Sequence, residues 1–228
     1  MPSVLKQKMK DLFEQAGAAG WVMEPQAKEL LRDAGLAVPD FACADTADAA
    51  AAAAAKIGYP VAAKVVSARI VHKSDVGGVA VGLADESALR EAFGRFSAMD
   101  GFAAMLVEEM VAGVEMIIGA KIDHQFGPVV LLGIGGTGVE IYQDVAIRMA
   151  PLTDQDAASM MKTLVGRRLL EGFRGAAPVD RTALAKTLVV FSELAMAAAD
   201  WIESIDLNPV ICTADACVIA DARIMLKE

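Results

Sequence analysis

Apolar residues fall at positions 4/5, 8/9 and 12/13 of the opening stretch MPSVLKQKMKDLFEQAGAAG, with charged residues between them. That spacing lays one apolar stripe along an amphipathic helix, and it lacks the unbroken apolar core of a signal peptide. The next run, EPQAKELLRDAG, has Pro25 near a helix start and Gly35 at its stop. LAVPDFACA then reads as a strand. DTADAAAAAAAKIG opens on Asp45 or Thr46 as an N-cap and closes at Gly58, so its alanine tract is a helix rather than a low-complexity linker.

YPVAAKVV and GGVAVGL are strands, DESALREAFGRFSAM is a capped helix, and FAAMLVEEMV is a buried strand. A boundary falls near Val111 to Gly113. Beyond it, VEMIIGAKI and PVVLLGI flank DHQFG as a hairpin, and VEIYQDVAIRM continues the sheet. TDQDAASMMKTLV and DRTALAKTLVVFSELAMAAAD are helices, and IESIDLNPVICTADACVIADARIML is strand, turn, strand. Strands and helices mix without regular βαβ alternation, which predicts an α+β protein of two lobes with mostly antiparallel sheets. The expected divisions are a helix over 1–20, a first lobe over 21–111 and a second over 112–228.

Composition narrows this picture only a little. The chain has 228 residues, is 55% hydrophobic and 22% charged, and has no window of about 18 uncharged apolar residues. A net charge of −9 without a basic cluster argues against nucleic acid or an anionic membrane as partner. Three cysteines, none in C-x-x-C spacing, fit a reducing, cytoplasmic setting and no structural zinc.

The last hairpin carries candidate chemistry. A turn at Ala214 and Asp215 sets Asn208 opposite Asp221, Asp206 opposite Arg223 and Cys212 opposite Cys217. The first four side chains then share one face, while Ile205, Leu207, Ala222 and Ile224 share the other. Opposed side chains lie about 5 Å apart at Cβ, close enough for an amide oxygen and a carboxylate to share one hard cation such as Mg²⁺. The alternative is a surface ion pair beside an Asn that merely precedes a proline. Cys212 and Cys217 read as a reduced core pair.

GIGGTG (133–138) matches G-x-G-x-x-G, but strand-like VEIYQDVAIRM follows where a dinucleotide fingerprint needs a helix. No Walker A loop exists either. The glycines suit a tight turn with backbone near a ligand, or a plain turn. His124 in DHQFG is a turn residue, and Met160, Met161 and Met196 read as core filler.

The ordered motifs GYPVAAKVVS, HKSDVGGV, LVEEMVAGVEMIIGAKIDHQFGPVV, GIGGTGVEIYQDVAIRMAPL and IDLNPVI with IADARI resemble the ATP-grasp fold. More narrowly, they resemble the β subunit of ADP-forming acyl-CoA (acetyl-CoA) synthetase, a relative of the succinyl-CoA synthetase β subunit. The likeness runs from about residue 20 to 226. It implies ATP or ADP held between two lobes, with Lys64 contacting phosphate, the Glu108 to Val111 stretch (including Met110) recognising adenine, and Glu115 holding the ribose. Taken alone, Lys64 could equally be a snorkelling lysine, and both glutamates could be solvated. The resemblance further implies Asn208 and Asp221 as Mg²⁺ ligands, and it makes Arg148 a candidate phosphate contact. It also implies a CoA-binding α subunit, separate or fused, in a hetero-oligomer.

His72 has its own argument. A neutral imidazole accepts a phosphoryl group near pH 7 without an auxiliary base, because its ordinary pKa is about 6.5. Ser67, Ser74 and the pair Gly77 and Gly78 would let its loop move, and the N–H groups of DVGGV could cradle phosphate. Read alone, His72 is more often a histidine in an ordinary polar loop. The synthetase resemblance makes it a phosphohistidine relay, with Asp206 steadying the phosphorylated form, though the relatives carry glutamate there. The alternatives are a non-catalytic ATP-grasp-like module and another ATP-grasp ligase.

Overall fold

The computed structural model describes residues 2–136, 144–172, 175 and 177–227. In chain order the elements begin with α1 (Ser3–Ala16), β1 (Trp21–Val22), α2 (Glu24–Asp33), β2 (Phe41–Ala44), α3 (Ala47–Ile57), β3 (Val61–Ser67), β4 (Val79–Leu83), α4 (Glu86–Ser97) and β5 (Phe102–Glu109). They continue with β6 (Val114–Asp123), β7 (Gly127–Ile134), β8 (Val145–Met149), α5 (Asp154–Thr163), α6 (Arg181–Ala198), β9 (Ile202–Cys212), β10 (Cys217–Ile219) and β11 (Arg223–Leu226). Two compact units result: Pro39–Val111, and Met1–Val38 with Ala112–Glu228.

The helices begin where side chains satisfy the first orphan N–H groups. Thr46 Oγ1 accepts Ala49 N–H at 3.2 Å, Asp85 Oδ1 accepts Ala88 N–H at 2.9 Å, and Asp180 Oδ1 accepts from both Thr182 and Ala183. Thr153 and Asp156 form a reciprocal capping box on α5. Each such cap contributes about 1 kcal/mol. Of the two caps open for the alanine helix, Thr46 is the one used.

The unit of residues 39–111 is a four-stranded antiparallel sheet in the order β2-β5-β3-β4. Ala50 and Ala54 of α3 and Leu89, Ala92 and Phe96 of α4 pack on Val61, Ala63, Val65, Met105 and Val107. These five strand residues alternate with Ala62, Lys64, Leu106 and Glu108 on the opposite sheet face.

Among the described residues, the other unit has a seven-stranded antiparallel sheet in the order β1-β11-β9-β6-β7-β8, with β10 added on β9. Its core joins Leu30, Leu31, Ile118, Leu132, Phe191, Leu207 and Ile224, among others. The pattern expectation assigns residues 21–38 to the first lobe, but the structure places them here. Trp21 and Val22 pair with Met225 and Ile224 of β11, a return across the whole chain that local periodicity does not show. LAVPDFACA also forms less strand than its pattern predicts, only Phe41–Ala44. No helix among the described residues is long and apolar enough to cross a membrane.

Candidate functional site

Within residues 39–111, β3 pairs with β5 so that Ala62 faces Glu108 and Lys64 faces Leu106. Lys64 and Glu108 are therefore diagonal neighbours on one face, and Lys64 Nζ lies 2.7 Å from Glu108 Oε1. Both are buried, at 6% and 2% exposure. A lysine among apolar strand residues requires an anion, and here the anion is Glu108. The carboxylate expected to read adenine is thus already committed to the lysine expected to bind phosphate. Met110 Sδ receives Gly82 N–H at 3.4 Å, and Val111 is half-buried at the end of the unit.

His72 is exposed in the segment linking β3 to β4. A short 3-10 turn, Ser74–Val76, follows it and ends at Gly77, whose φ is +68°. A Cβ on Gly78 would stand 2.5 Å from Val65 Cγ1, so only glycine lets the chain rejoin the sheet here. Gly78 N–H donates to Lys73 C=O at 2.7 Å, and Gly77 N–H to Ser74 C=O at 3.2 Å. Both glycine N–H groups thus serve the loop itself, which departs from the expectation that they point outward to cradle phosphate.

In the other unit, the register read from the last hairpin holds on both sides of an interruption. Cys212, Ile211 and Val210 pair with Cys217, Val218 and Ile219, and Asp206 and Ile205 pair with Arg223 and Ile224. Ala220 N–H donates to Pro209 C=O at 3.0 Å between these ladders. Asn208 and Asp221 occupy the gap that remains. Asp206, Asp221 and Arg223 are half-buried and Asn208 is exposed, while Ile205, Leu207, Ala222 and Ile224 are buried. The hairpin therefore has the predicted polar and apolar faces. Arg223 donates to Asp206 Oδ2 at 3.1 Å, and Asp221 Oδ1 accepts Ala222 N–H at 3.0 Å.

Cys212 and Cys217 are free and buried. A hydrogen bond with Cys217, then burial, pushes the Cys212 thiol far above its ordinary range. Arg148 on β8 donates to Ile147 C=O at 2.8 Å and to Ser159 Oγ at 3.2 Å, anchoring α5. Glu115 is exposed on β6, and its C=O accepts Gly135 N–H at 2.7 Å. A Cβ on Gly135 would lie 2.8 Å from that carbonyl, so this glycine serves a close backbone approach. Thr137 and Gly138, with the rest of 137–143, lie outside the described residues. His124 sits in the expected turn, where Asp123 accepts Gln125 and Phe126 N–H groups. These two bonds hold the Asp123 carboxyl below the usual carboxylate range. Met160 and Met161 are buried, but Met196 is 42% exposed and is not core filler. Its place on α6 faces out although its alanine neighbours gave an even apolar pattern.

Residues 14–226 match the family model of the ATP-grasp domain. The chain belongs to the ATP-grasp family. It is 37% identical to the β subunit of ADP-forming acetate–CoA ligase I of Pyrococcus furiosus, across 96% of this chain and 98% of that one. It is 36% identical to the ADP-forming 4-hydroxybutyrate–CoA ligase of Nitrosopumilus maritimus, covering 98% of this chain and 34% of that longer protein. The chain thus spans about a third of such relatives. Among solved structures, a dinucleotide-forming acetyl-coenzyme A synthetase of Ca. Korarchaeum cryptofilum superposes with TM-score 0.84 at 38% identity, covering 96% of this chain and all of the other. That structure contains coenzyme A and Mg-AMPPCP, with a phosphohistidine segment pointing towards its nucleotide-binding site.

Two features of this ATP-grasp chain escaped sequence reasoning. Lys28 is fully buried with its Nζ 2.9 Å from Glu24 Oε1, and the i,i+4 Glu-to-Lys spacing on α2 was the available signal. Asp144 accepts Val165 and Gly166 N–H groups at 2.8 and 2.7 Å, so it holds the 3-10 turn Val165–Leu169. No local pattern links two segments so far apart in sequence.

Proposed function

We propose that this chain is the nucleotide-binding subunit of an ADP-forming acyl-CoA synthetase. With a CoA-binding partner, it would interconvert acyl-CoA, ADP and phosphate with carboxylic acid, CoA and ATP. The observation that carries the reading is the placement of His72, an exposed imidazole midway along a segment whose two ends are fixed on β3. The relative with a phosphohistidine segment supports the same assignment.

In the ATP direction of cleavage, one imidazole nitrogen forms an N–P bond to the γ-phosphorus while the bridging P–O bond breaks. ADP leaves with the electron pair, and the partner's substrate later takes the phosphoryl group. Neutral imidazole has the free lone pair this needs near pH 7. Lys64 is assigned to charge on the transferring group, with Glu108 holding its ammonium in place beforehand. Met110, Val111 and Glu115 are assigned to the nucleoside, Arg148 to phosphate, and Asp206 to the phosphorylated histidine.

Asn208 and Asp221 fit Mg²⁺. They supply hard oxygen donors on the polar hairpin face at a break in the ladder. Mg²⁺ keeps several waters and takes substrate phosphates, so two protein oxygen ligands suffice for it. When bound, Mg²⁺ would neutralise developing phosphate charge. The free cysteines support a cytoplasmic setting, and the lack of a basic cluster supports a partner other than nucleic acid.

Incubation with γ-labelled ATP and Mg²⁺, with and without the partner, tests this. Label on wild type should be acid-labile and base-stable and should be absent from His72→Ala. Equal label on the variant refutes the carrier assignment.

A further inference from the structure

The segment that bears His72 is held at two feet, and they differ in kind. At its far end, Gly78 is pressed on Val65, and Val65 N–H donates to Gly78 C=O at 2.8 Å. At its near end, Ser67 is 2% exposed. Its hydroxyl donates to Asp100 C=O and accepts Arg69 N–H, each at 3.1 Å. Both feet therefore rest on β3, two residues apart: the far one is a backbone pair, and the near one is the Ser67 hydroxyl bonded to backbone groups.

Just outside the near foot lies a third contact. Arg69 Nη1 reaches Asp100 Oδ1 at 3.0 Å and Oδ2 at 3.2 Å, with side chains 71% and 76% exposed. Gly101 permits this approach. Its φ is +67°, and a Cβ there would lie 2.9 Å from Ser67 Oγ and 3.0 Å from Arg69 Cδ. A side chain here would crowd the Ser67 hydroxyl and the Arg69 side chain, in a backbone conformation that favours glycine.

We propose that Arg69 and Asp100 form a releasable latch on the phosphoryl-carrier segment, with Ser67 and Gly78 as its fixed feet; this rests on the His72 reading above. A carrier must be held at rest and let go in each cycle. A buried pair would hold too firmly, whereas an exposed pair is weak and screened by salt. With Arg69 N–H bonded at the near foot, three residues of chain let His72 reach up to roughly 10 Å from Arg69 once the Lys73 to Gly78 bond opens. Arg69 and Asp100 are positioning residues. They touch no reacting atom and set how often His72 leaves its resting place.

The test uses the full chain with its CoA-binding partner. Amide hydrogen exchange over residues 70–76 should speed up roughly two- to five-fold in Asp100→Asn. Exchange in β3 and β5 and the melting temperature should stay unchanged. High salt should produce the same acceleration in wild type and little further in the variant. The swap of Arg69→Glu with Asp100→Lys should restore slow exchange. Unchanged exchange in Asp100→Asn overturns the latch, even while His72→Ala loses its label and the carrier stands. A His72→Ala chain that still takes label removes the carrier and its latch together, whatever exchange shows.

Discussion

Two pairs of opposite charge sit on antiparallel sheets of this protein, and they share a geometry but not an environment. Lys64 and Glu108 are diagonal cross-strand neighbours at 2.7 Å and nearly sealed from water. Asp206 and Arg223 are directly opposed at 3.1 Å and 39% and 30% exposed. Breaking the first pair takes a close partner from an ion that water scarcely reaches. The second can open at little cost, so its face remains free to change partners. Under the proposed function the buried pair would fix a cation before substrate arrives, and the open pair would belong to the surface where metal and phosphate exchange.

Removing one partner of each pair should break this comparison most sharply. Glu108→Gln should cost about 3 to 5 kcal/mol of stability, read from the denaturant midpoint, because it removes a carboxylate 2.7 Å from a buried ammonium. Lys64→Met with Glu108→Leu should recover much of that while leaving nucleotide binding impaired. An unchanged midpoint for Glu108→Gln would contradict the buried-pair reading.

Gly78→Ala comes next. Its new methyl meets Val65 at 2.5 Å, and the expected loss is about 1 to 3 kcal/mol. On the open face, Asp221→Asn should raise the Mg²⁺ concentration for half-maximal labelling by at least about tenfold without altering the melt. A parallel shift in melting would instead make Asp221 a structural residue. Arg223→Gln should have the smallest effect on stability, about 0 to 1 kcal/mol, and 1 M salt should erase it. The penalty of Glu108→Gln should survive that salt.

The same comparison separates what the sequence made legible from what it did not. The hairpin could be read because strand period and a short turn determine register, so naming the turn at Ala214 and Asp215 aligned Asp206 with Arg223. The ladder's break at Asn208 and Asp221 had no such signature. Lys64 was legible as a lysine needing an anion, but Glu108 as that anion was not. The β3–β5 pairing closes over β4 and α4, and no local pattern specifies a register across that distance. Residues 21–38 were misplaced for the same reason, since β1 meets β11 from the other end of the chain. His72 stood out by chemistry and motif, while the Ser67 and Asp100 contacts near it depend on a turn between α4 and β5.

The central claim is that His72 carries the phosphoryl group, and phosphorus NMR of the chain treated with Mg²⁺ and ATP reads it directly. A nitrogen-linked phosphoryl signal is expected that vanishes on adding ADP and is missing from His72→Ala, while Asp100→Asn keeps it. A signal of equal intensity in His72→Ala would contradict the claim.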